Sequence, residues 1–292
     1  MTAAENLLLR VIQLNTSDLQ QSWLLKKSEE IGDNDNQALL YQAFGQIPSK
    51  TNKAVIKISE LDEALLDMLI PGLKINHWQT DRLCRVWFLS QLKSDNKEAY
   101  LSSIKDLFFY AELNELVSLY SALIFFEYPY EWVSQAVEGI RSNMGDVLEA
   151  IIYDNPYPAN YLDIDAWNQL VCKTFFTNKN IMRLWGLGKR ANRALSVILI
   201  DYANERLSAK RSINPYVLRL VAAFMTAKAC TLMEKLLNGE SNIEATAAVL
   251  VCMQTNYLPA KRLLLKYPAV KEKLAVDNLT WNNLTKQYYV LQ

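Results

Sequence analysis

The 292 residues carry thirty-one Lys and Arg against thirty-one Asp and Glu, and 51% of them are apolar. An apolar half supplies a sizeable core and excludes disorder as the dominant state, while zero net charge removes the field that would hold a polyanion or an acidic membrane surface. Nucleic acid is therefore not an expected partner, and no run interleaves Lys or Arg with aromatics as single-strand binders do.

Apolar residues recur at three- and four-residue spacing almost throughout, and strand-like alternation is confined to Ala54 to Ile58, so the chain reads as all-α. The pattern predicts helices over 3–14, 17–31, 35–46, 60–70, 80–93, 97–110, 113–126, 130–153, 163–177, 192–210, 214–224, 226–238, 241–255, 258–266 and 268–275. The first apolar run, Leu7 to Leu14, is interrupted by Arg10, preceded by Glu5 and followed by no small-residue cleavage site, which argues against a secretory signal. Pro71-Gly72 ends the fourth helix, Thr80 is placed to cap the fifth, and Tyr128-Pro129 separates two apolar helices. The longest apolar stretch, Leu116 to Phe126, falls well short of the roughly twenty residues a bilayer needs. No membrane insertion is expected, and the chain is assigned to the cytoplasm.

The stretch 130–153 reads as one helix with a stripe of Val133, Ala136, Val137, Ile140, Met144, Val147, Leu148 and Ile151, interrupted by Gly139 and Gly145. A glycine in mid-helix costs about 1 kcal/mol relative to alanine and points to close approach of a neighbouring backbone or a ligand, close helix packing being the favoured reason. Asn155-Pro156-Tyr157-Pro158 then breaks the chain, and Asp163 is placed to cap the helix that carries Trp167. Many short helices joined by short connectors predict an irregular α-α superhelix of HEAT- or armadillo-like pairs, with an orthogonal helical bundle as the alternative, in a single domain over 1–292.

Several chemistries are missing. Cys84, Cys172, Cys230 and Cys252 are far apart, form no Cys-x-x-Cys pair and sit in apolar helical stretches, so they read as free thiols of a reducing compartment. A single histidine, His77, lies in the polar turn Lys74-Ile75-Asn76-His77-Trp78. No His, Cys or carboxylate cluster has metal-ligand spacing, and no nucleophile signature accompanies His77, which reads as a surface turn residue. The eight glycines form neither a dinucleotide fingerprint nor a P-loop, so no metal and no cofactor is expected. Carboxylate or lysine acid-base chemistry has no sequence signature and stays open.

Polar residues set among apolar helical faces between Arg141 and Arg206 are the candidate site. Arg141 and Asn143 flank the stripe of the long helix, and Asn155 and Tyr157 stand in the break after it. The next helix puts Trp167, Leu170, Val171, Thr174 and Phe175 on one face, with Trp167 in the core, Asn168 beside that face, and Gln169 and Lys173 one turn apart on the polar side. The glycine- and base-containing loop Trp185-Gly186-Leu187-Gly188-Lys189-Arg190-Ala191-Asn192 ends at a helix N-terminus, where an anion is favoured, although Asn192 as an ordinary cap explains much of it. In the helix that follows, Leu195, Ile198, Leu199 and Tyr202 form a stripe, with Val197 and Ile200 pointing elsewhere, so its first half is expected to be buried all round. Arg206 falls near the middle of its apolar face, flanked by Asp201 and Glu205. A guanidinium there needs a carboxylate or carbonyl, the alternatives being a structural ion pair and a clamp for an anionic ligand.

The order Arg141-Ser142-Asn143-Met144, Asn155-Pro156-Tyr157-Pro158, Ala166-Trp167-Asn168-Gln169, Gly188-Lys189-Arg190-Ala191-Asn192 and Asp201-Tyr202-Ala203-Asn204-Glu205-Arg206, with Pro71-Gly72 and Glu115-Leu116-Val117 upstream, resembles the EboA family. The match is dense over about residues 110–225. The resemblance implies a role in moving secondary-metabolite precursors towards the cell envelope, alongside neighbours encoded in the same bacterial gene cluster, and it implies a process rather than a reaction. Where the family pattern has His and Trp, this chain has Asn204 and Leu207, so a histidine-dependent activity at that position is not expected here. Three readings compete: a non-enzymatic cytosolic component that holds a metabolite or a partner protein in a helical groove, an enzyme acting on an anionic or aromatic metabolite, and a scaffold for partner enzymes of the cluster.

Overall fold

A computed structural model describes residues 1–33, 37–267 and 280–290; the helix predicted over 268–275 lies outside them. Within these residues the chain is all-helical, with seventeen α-helices, five short 3-10 turns and no strand. In chain order they are α1 (Ala3–Asn15), α2 (Asp18–Asp33), α3 (Gln37–Lys50), α4 (Glu60–Leu69), α5 (Thr80–Ser90), α6 (Lys97–Tyr110), α7 (Leu113–Ala122), α8 (Val133–Arg141), α9 (Gly145–Ile152), α10 (Tyr157–Tyr161), α11 (Ile164–Phe176), α12 (Arg193–Ser208), α13 (Pro215–Val221), α14 (Ala227–Leu237), α15 (Asn242–Gln254), α16 (Leu258–Leu263) and α17 (Trp281–Val290). No helix among the described residues is long and apolar enough to cross a membrane.

Met1–Leu170 with Arg183–Trp185 form one compact unit, and Val171–Met182 with Gly186–Gln292 a second. In the first, α5 is the central element: Leu83, Cys84, Val86, Trp87, Phe88 and Leu89 are all buried, and the helix packs against α1, α3 and α7, while α7 packs in turn on α9. In the second, α13 takes that place, burying Val217, Leu218 and Val221 against α12, α15 and α17.

Local chemistry explains most ends. Asp163 accepts from the Ala166 amide at 2.7 Å, as its position before α11 predicts. The buried face of α11 holds Trp167, Leu170, Val171, Thr174 and Phe175, as the spacing requires. Thr80 is not the cap of α5: that place belongs to Gln79, whose side chain makes no capping bond. The reason is a short antiparallel pairing of Val55 with Gln79, in which the Ile56 amide donates to Trp78 O and the Thr80 amide and hydroxyl both donate to Ala54 O.

The predicted 130–153 helix is three pieces. Pro129–Trp132 is a 3-10 turn, α8 stops when Ser142 turns to extended backbone at ψ 157°, and α9 restarts at Gly145. Met144 is consequently 42% exposed instead of belonging to the stripe, and Gly145 opens a helix instead of interrupting one. Gly139 alone is mid-helix, and close packing accounts for it: a Cβ there would lie 2.5 Å from Tyr120 Cε1 and 2.7 Å from Ile151 Cδ1. The first half of α12 is not buried all round, since Val197 and Ile198 are exposed while Leu195, Leu199, Ile200 and Ala203 face inward. Helix α17 went unpredicted although Trp281, Leu284, Thr285 and Tyr288 follow the i, i+3, i+4, i+7 rule, because only Leu284 of the four is purely apolar and the segment between them is rich in Asn.

Replacing Gly139 with alanine tests the packing. Propensity favours alanine by about 1 kcal/mol, but the Tyr120 ring and Ile151 must move, which costs about 1–3 kcal/mol. A lower urea midpoint is expected for Gly139→Ala in equilibrium unfolding.

Candidate functional site

Within the first unit a cleft of about 410 Å³ opens where α5, α7 and α9 meet. Each helix contributes residues of one face: Asp81, Arg82 and Arg85 from α5, Asn114, Val117 and Ser118 from α7, and Asp146, Glu149 and Ala150 from α9, with Tyr153 one residue beyond its end. The i, i+3, i+4 spacing of helical neighbours brings each set to the same side. His77 and Gln79 reach in from the turn before α5, and Arg183 from the segment before α12.

Three arginines stand here in three electrostatic states. Arg85 is almost fully buried, donates to Phe44 O at 3.3 Å and to Glu115 Oε1 at 3.3 Å, and lies over the Phe44 ring. Arg183 donates through Nε and Nη2 to Asp154 Oδ2 at 2.7 and 2.5 Å and lies over the Tyr153 ring. Arg82 is different. Its Nε donates to Ser121 Oγ at 2.8 Å and its guanidinium lies 4.6 Å from the Trp78 ring centre, but among the described residues no carboxylate forms an ion pair with it. Burial and the neighbouring Arg183 pull its pKa down to about 9, so it keeps its charge at neutral pH.

Asp154 organises the opposite wall. It has left-handed backbone at φ 54°, which a short polar side chain tolerates. Its amide donates to Arg183 O, its carbonyl accepts from the Lys74 amide, and its carboxylate takes the Arg183 guanidinium. One residue thus ties the His77 turn to the Arg183 segment, and the Tyr153–Leu184 bridge continues the tie.

His77 Nε2 lies 2.8 Å from Arg183 Nη2. A guanidinium only donates, so Nε2 must accept, which fixes a neutral imidazole with its proton on Nδ1. Burial, then Arg183 and Arg82, hold its pKa down to about 3. Asp154 Oδ2, 3.9 Å from Nδ1, does not reverse this because its charge is already engaged by Arg183. Among the described residues no group of three His, Cys, Asp or Glu side chains is placed to hold a metal ion.

The residues singled out from the sequence fall differently. Asn155 is buried and committed to the fold: Nδ2 donates to Tyr120 O and Ala150 O, and Oδ1 accepts from the Tyr157 amide. Tyr157 is buried too, its hydroxyl donating to Pro129 O at 2.6 Å. Trp167 and Asn168 are buried, whereas Arg141, Asn143 and Gln169 are exposed. In the second unit Lys173 and Arg190 are half-buried, and Asn192 caps α12 by accepting from the Leu195 amide at 2.9 Å. Asp201 is exposed and paired with Lys228, and Glu205 is exposed. Asn204 donates to Ile200 O within α12 and lies 3.5 Å from Lys235 Nζ of α14, which makes it a contact between helices. Of this set, Tyr202 and Arg206 line a second, smaller cavity of about 190 Å³.

Sequence reasoning passed over the cleft arginines. Their signal was available: Arg82 and Arg85 stand at i, i+3 beside the apolar run Leu83, Cys84, Val86, Trp87, Phe88 and Leu89, the same anomaly that drew attention to Arg206.

A family model described as metabolite traffic protein EboA matches residues 4–222. The chain belongs to the EboA family. The matched span contains every residue of the arginine cleft and every residue singled out from the sequence, and it ends before α14 to α17. Neither the curated proteins nor the solved structures gave a match to this EboA-family chain.

Two measurements test this wall of the cleft. Between pH 6.5 and about 3 the unfolded chain binds a proton that folded His77 refuses, so its contribution is intact above pH 6.5 and lost as the pH falls. The melting temperature is expected to drop on going from pH 7 to pH 5, before most carboxylates titrate, and His77→Gln should flatten that limb. Asp154→Ala is expected to lower the unfolding free energy by about 2 kcal/mol, since it removes a charge-assisted pair. Asp154→Gly, which suits positive φ, should be the milder of the two if backbone strain contributes.

Proposed function

We propose that this EboA-family chain is a metabolite-holding component of a traffic system, and that it grips an anionic metabolite in the arginine cleft of its first unit without converting it. The observation that carries the proposal is Arg82: a charged guanidinium lining a cleft, with one hydrogen bond to a neutral hydroxyl and no ion-pair partner among the described residues. Its equivalents in the same cleft are each neutralised, Arg85 by Glu115 and Arg183 by Asp154. A carboxylate or phosphate oxygen on Arg82 completes the pattern, with the bidentate geometry that guanidinium favours.

The cleft volume of about 410 Å³ lies in the range of small-molecule sites, which is about 300–1,000 Å³. Holding is favoured over conversion because His77 is a neutral imidazole whose Nε2 lone pair is engaged by Arg183 and whose remaining proton, on Nδ1, is too weakly acidic to serve as a general acid. The family description supplies the process, metabolite traffic. In this reading the chain works in the cytoplasm and passes its cargo to proteins of the same system.

Native mass spectrometry of the full chain, purified from its own host, identifies the cargo, and calorimetry with that compound measures its affinity. Arg82→Met is expected to weaken binding by about tenfold or more while leaving the melting temperature within a few degrees. A cargo that is neutral or cationic, or whose affinity is indifferent to Arg82, sinks the proposal.

A further inference from the structure

The second unit has a cavity of its own, built from different residues. Phe175 and Phe176 close α11, Tyr202 and Arg206 stand one turn apart on α12, Tyr288 comes from α17, and Asn178, Lys179 and Asn214 complete the lining. Tyr202 lies at the centre of the aromatic wall, with its ring centre 5.0 Å from Phe176 and 6.4 Å from Phe175, both rings tilted to it. The volume, about 190 Å³, has a useful scale: an engineered apolar cavity of about 150 Å³ holds one benzene.

Arg206 supplies the polar end. Its Nε donates to Ser212 O at 2.5 Å and its Nη1 reaches the Tyr202 hydroxyl at 3.4 Å, while no carboxylate forms an ion pair with it among the described residues. Asp201 pairs with Lys228, and Glu244, which accepts from the Ile213 amide, feels the Arg206 charge without an ion pair to it. The Ser212 carbonyl therefore fixes the guanidinium at Nε and leaves its Nη edge beside the aromatic walls. A stiff, pre-oriented guanidinium next to flat apolar faces is complementary to one chemical class, since the rings bury a planar face and the fork pairs with two oxygens of an anion.

We infer that this cavity is a second small-molecule site, taking a single-ring aromatic carboxylate whose carboxylate pairs with Arg206 and whose ring packs between Phe176, Tyr202 and Tyr288. A fused polycycle is too large for the space, and an aliphatic acid lacks the flat face. Tyr288 lies beyond the span matched by the family model, so one wall of this site belongs to the C-terminal part of this chain and not to the family-defining segment. The inference does not rest on the arginine cleft of the first unit, which shares none of its residues.

The test uses 4-fluorobenzoate as probe, with fluorine-19 NMR relaxation reporting its binding to the full chain. Saturable broadening is expected, displaced by benzoate and about tenfold less well by cyclohexanecarboxylate. Arg206→Met should weaken the probe about tenfold or more, and Phe176→Ala, at an exposed ring whose loss does not threaten the core, should weaken it by about threefold or more. Arg82→Met should leave the affinity unchanged, which separates this site from the cleft. Absence of saturable binding, or equal binding by the Phe176→Ala chain and by a folded Arg206→Met chain, overturns the inference, as does loss of binding in Arg82→Met alone.

Discussion

In the first unit everything turns on the pair between Asp154 and Arg183. Two segments far apart in sequence, the turn before α5 and the stretch before α12, meet at one left-handed residue whose amide, carbonyl and carboxylate are all engaged. With Asp154 consumed in this way, Arg183 is neutralised and can present Nη2 to His77, and His77 is thereby locked as a neutral acceptor. Neither Arg183 nor His77 offers Arg82 a negative charge, and Asp81 and Glu149 attract it through space without forming an ion pair. The cleft lining sets Arg82, Arg85 and Arg183 against Asp81, Asp146 and Glu149, so it carries no surplus charge; what distinguishes Arg82 is that no carboxylate forms an ion pair with it among the described residues.

The same logic recurs in the second unit, where a backbone carbonyl holds Arg206 as the Ser121 hydroxyl holds Arg82. Ser212 O satisfies Arg206 at one nitrogen without cancelling its charge, and Asp201 is paired with Lys228 instead. A neutral partner, the Ser121 hydroxyl for Arg82 and the Ser212 carbonyl for Arg206, orients a guanidinium and leaves its charge available for an anion, whereas a carboxylate partner removes that availability. This difference separates Arg82 and Arg206 from Arg85 and Arg183.

Part of the motif chemistry that makes the sequence recognisable is structural. Asn155 and Tyr157 bind backbone carbonyls in the interior, Gly139 makes room for Tyr120, and Asn192 caps a helix. Gly72, in the Pro71-Gly72 stop, has φ 90°, and the Trp185 indole sits where its Cβ would be. Buried polar groups and close-packed glycines tolerate little change, so these positions constrain how the helices pack.

By itself the sequence determined the helical class, most helix positions, the caps at Asp163 and Asn192 and the tight approach at Gly139, because these depend on neighbours three or four residues away. It also singled out Arg206, whose position on an apolar face is visible from helical spacing. Tertiary structure decided which charges cancel. Arg82 and Arg85 look alike in sequence, three residues apart on one helix, yet Glu115 of α7 reaches only Arg85, and Asp154 reaches Arg183 from twenty-nine residues away. Ion pairing depends on distances between segments that local periodicity does not encode, so the location of the unpaired guanidinium, and with it the candidate site, emerged only when the chain was folded.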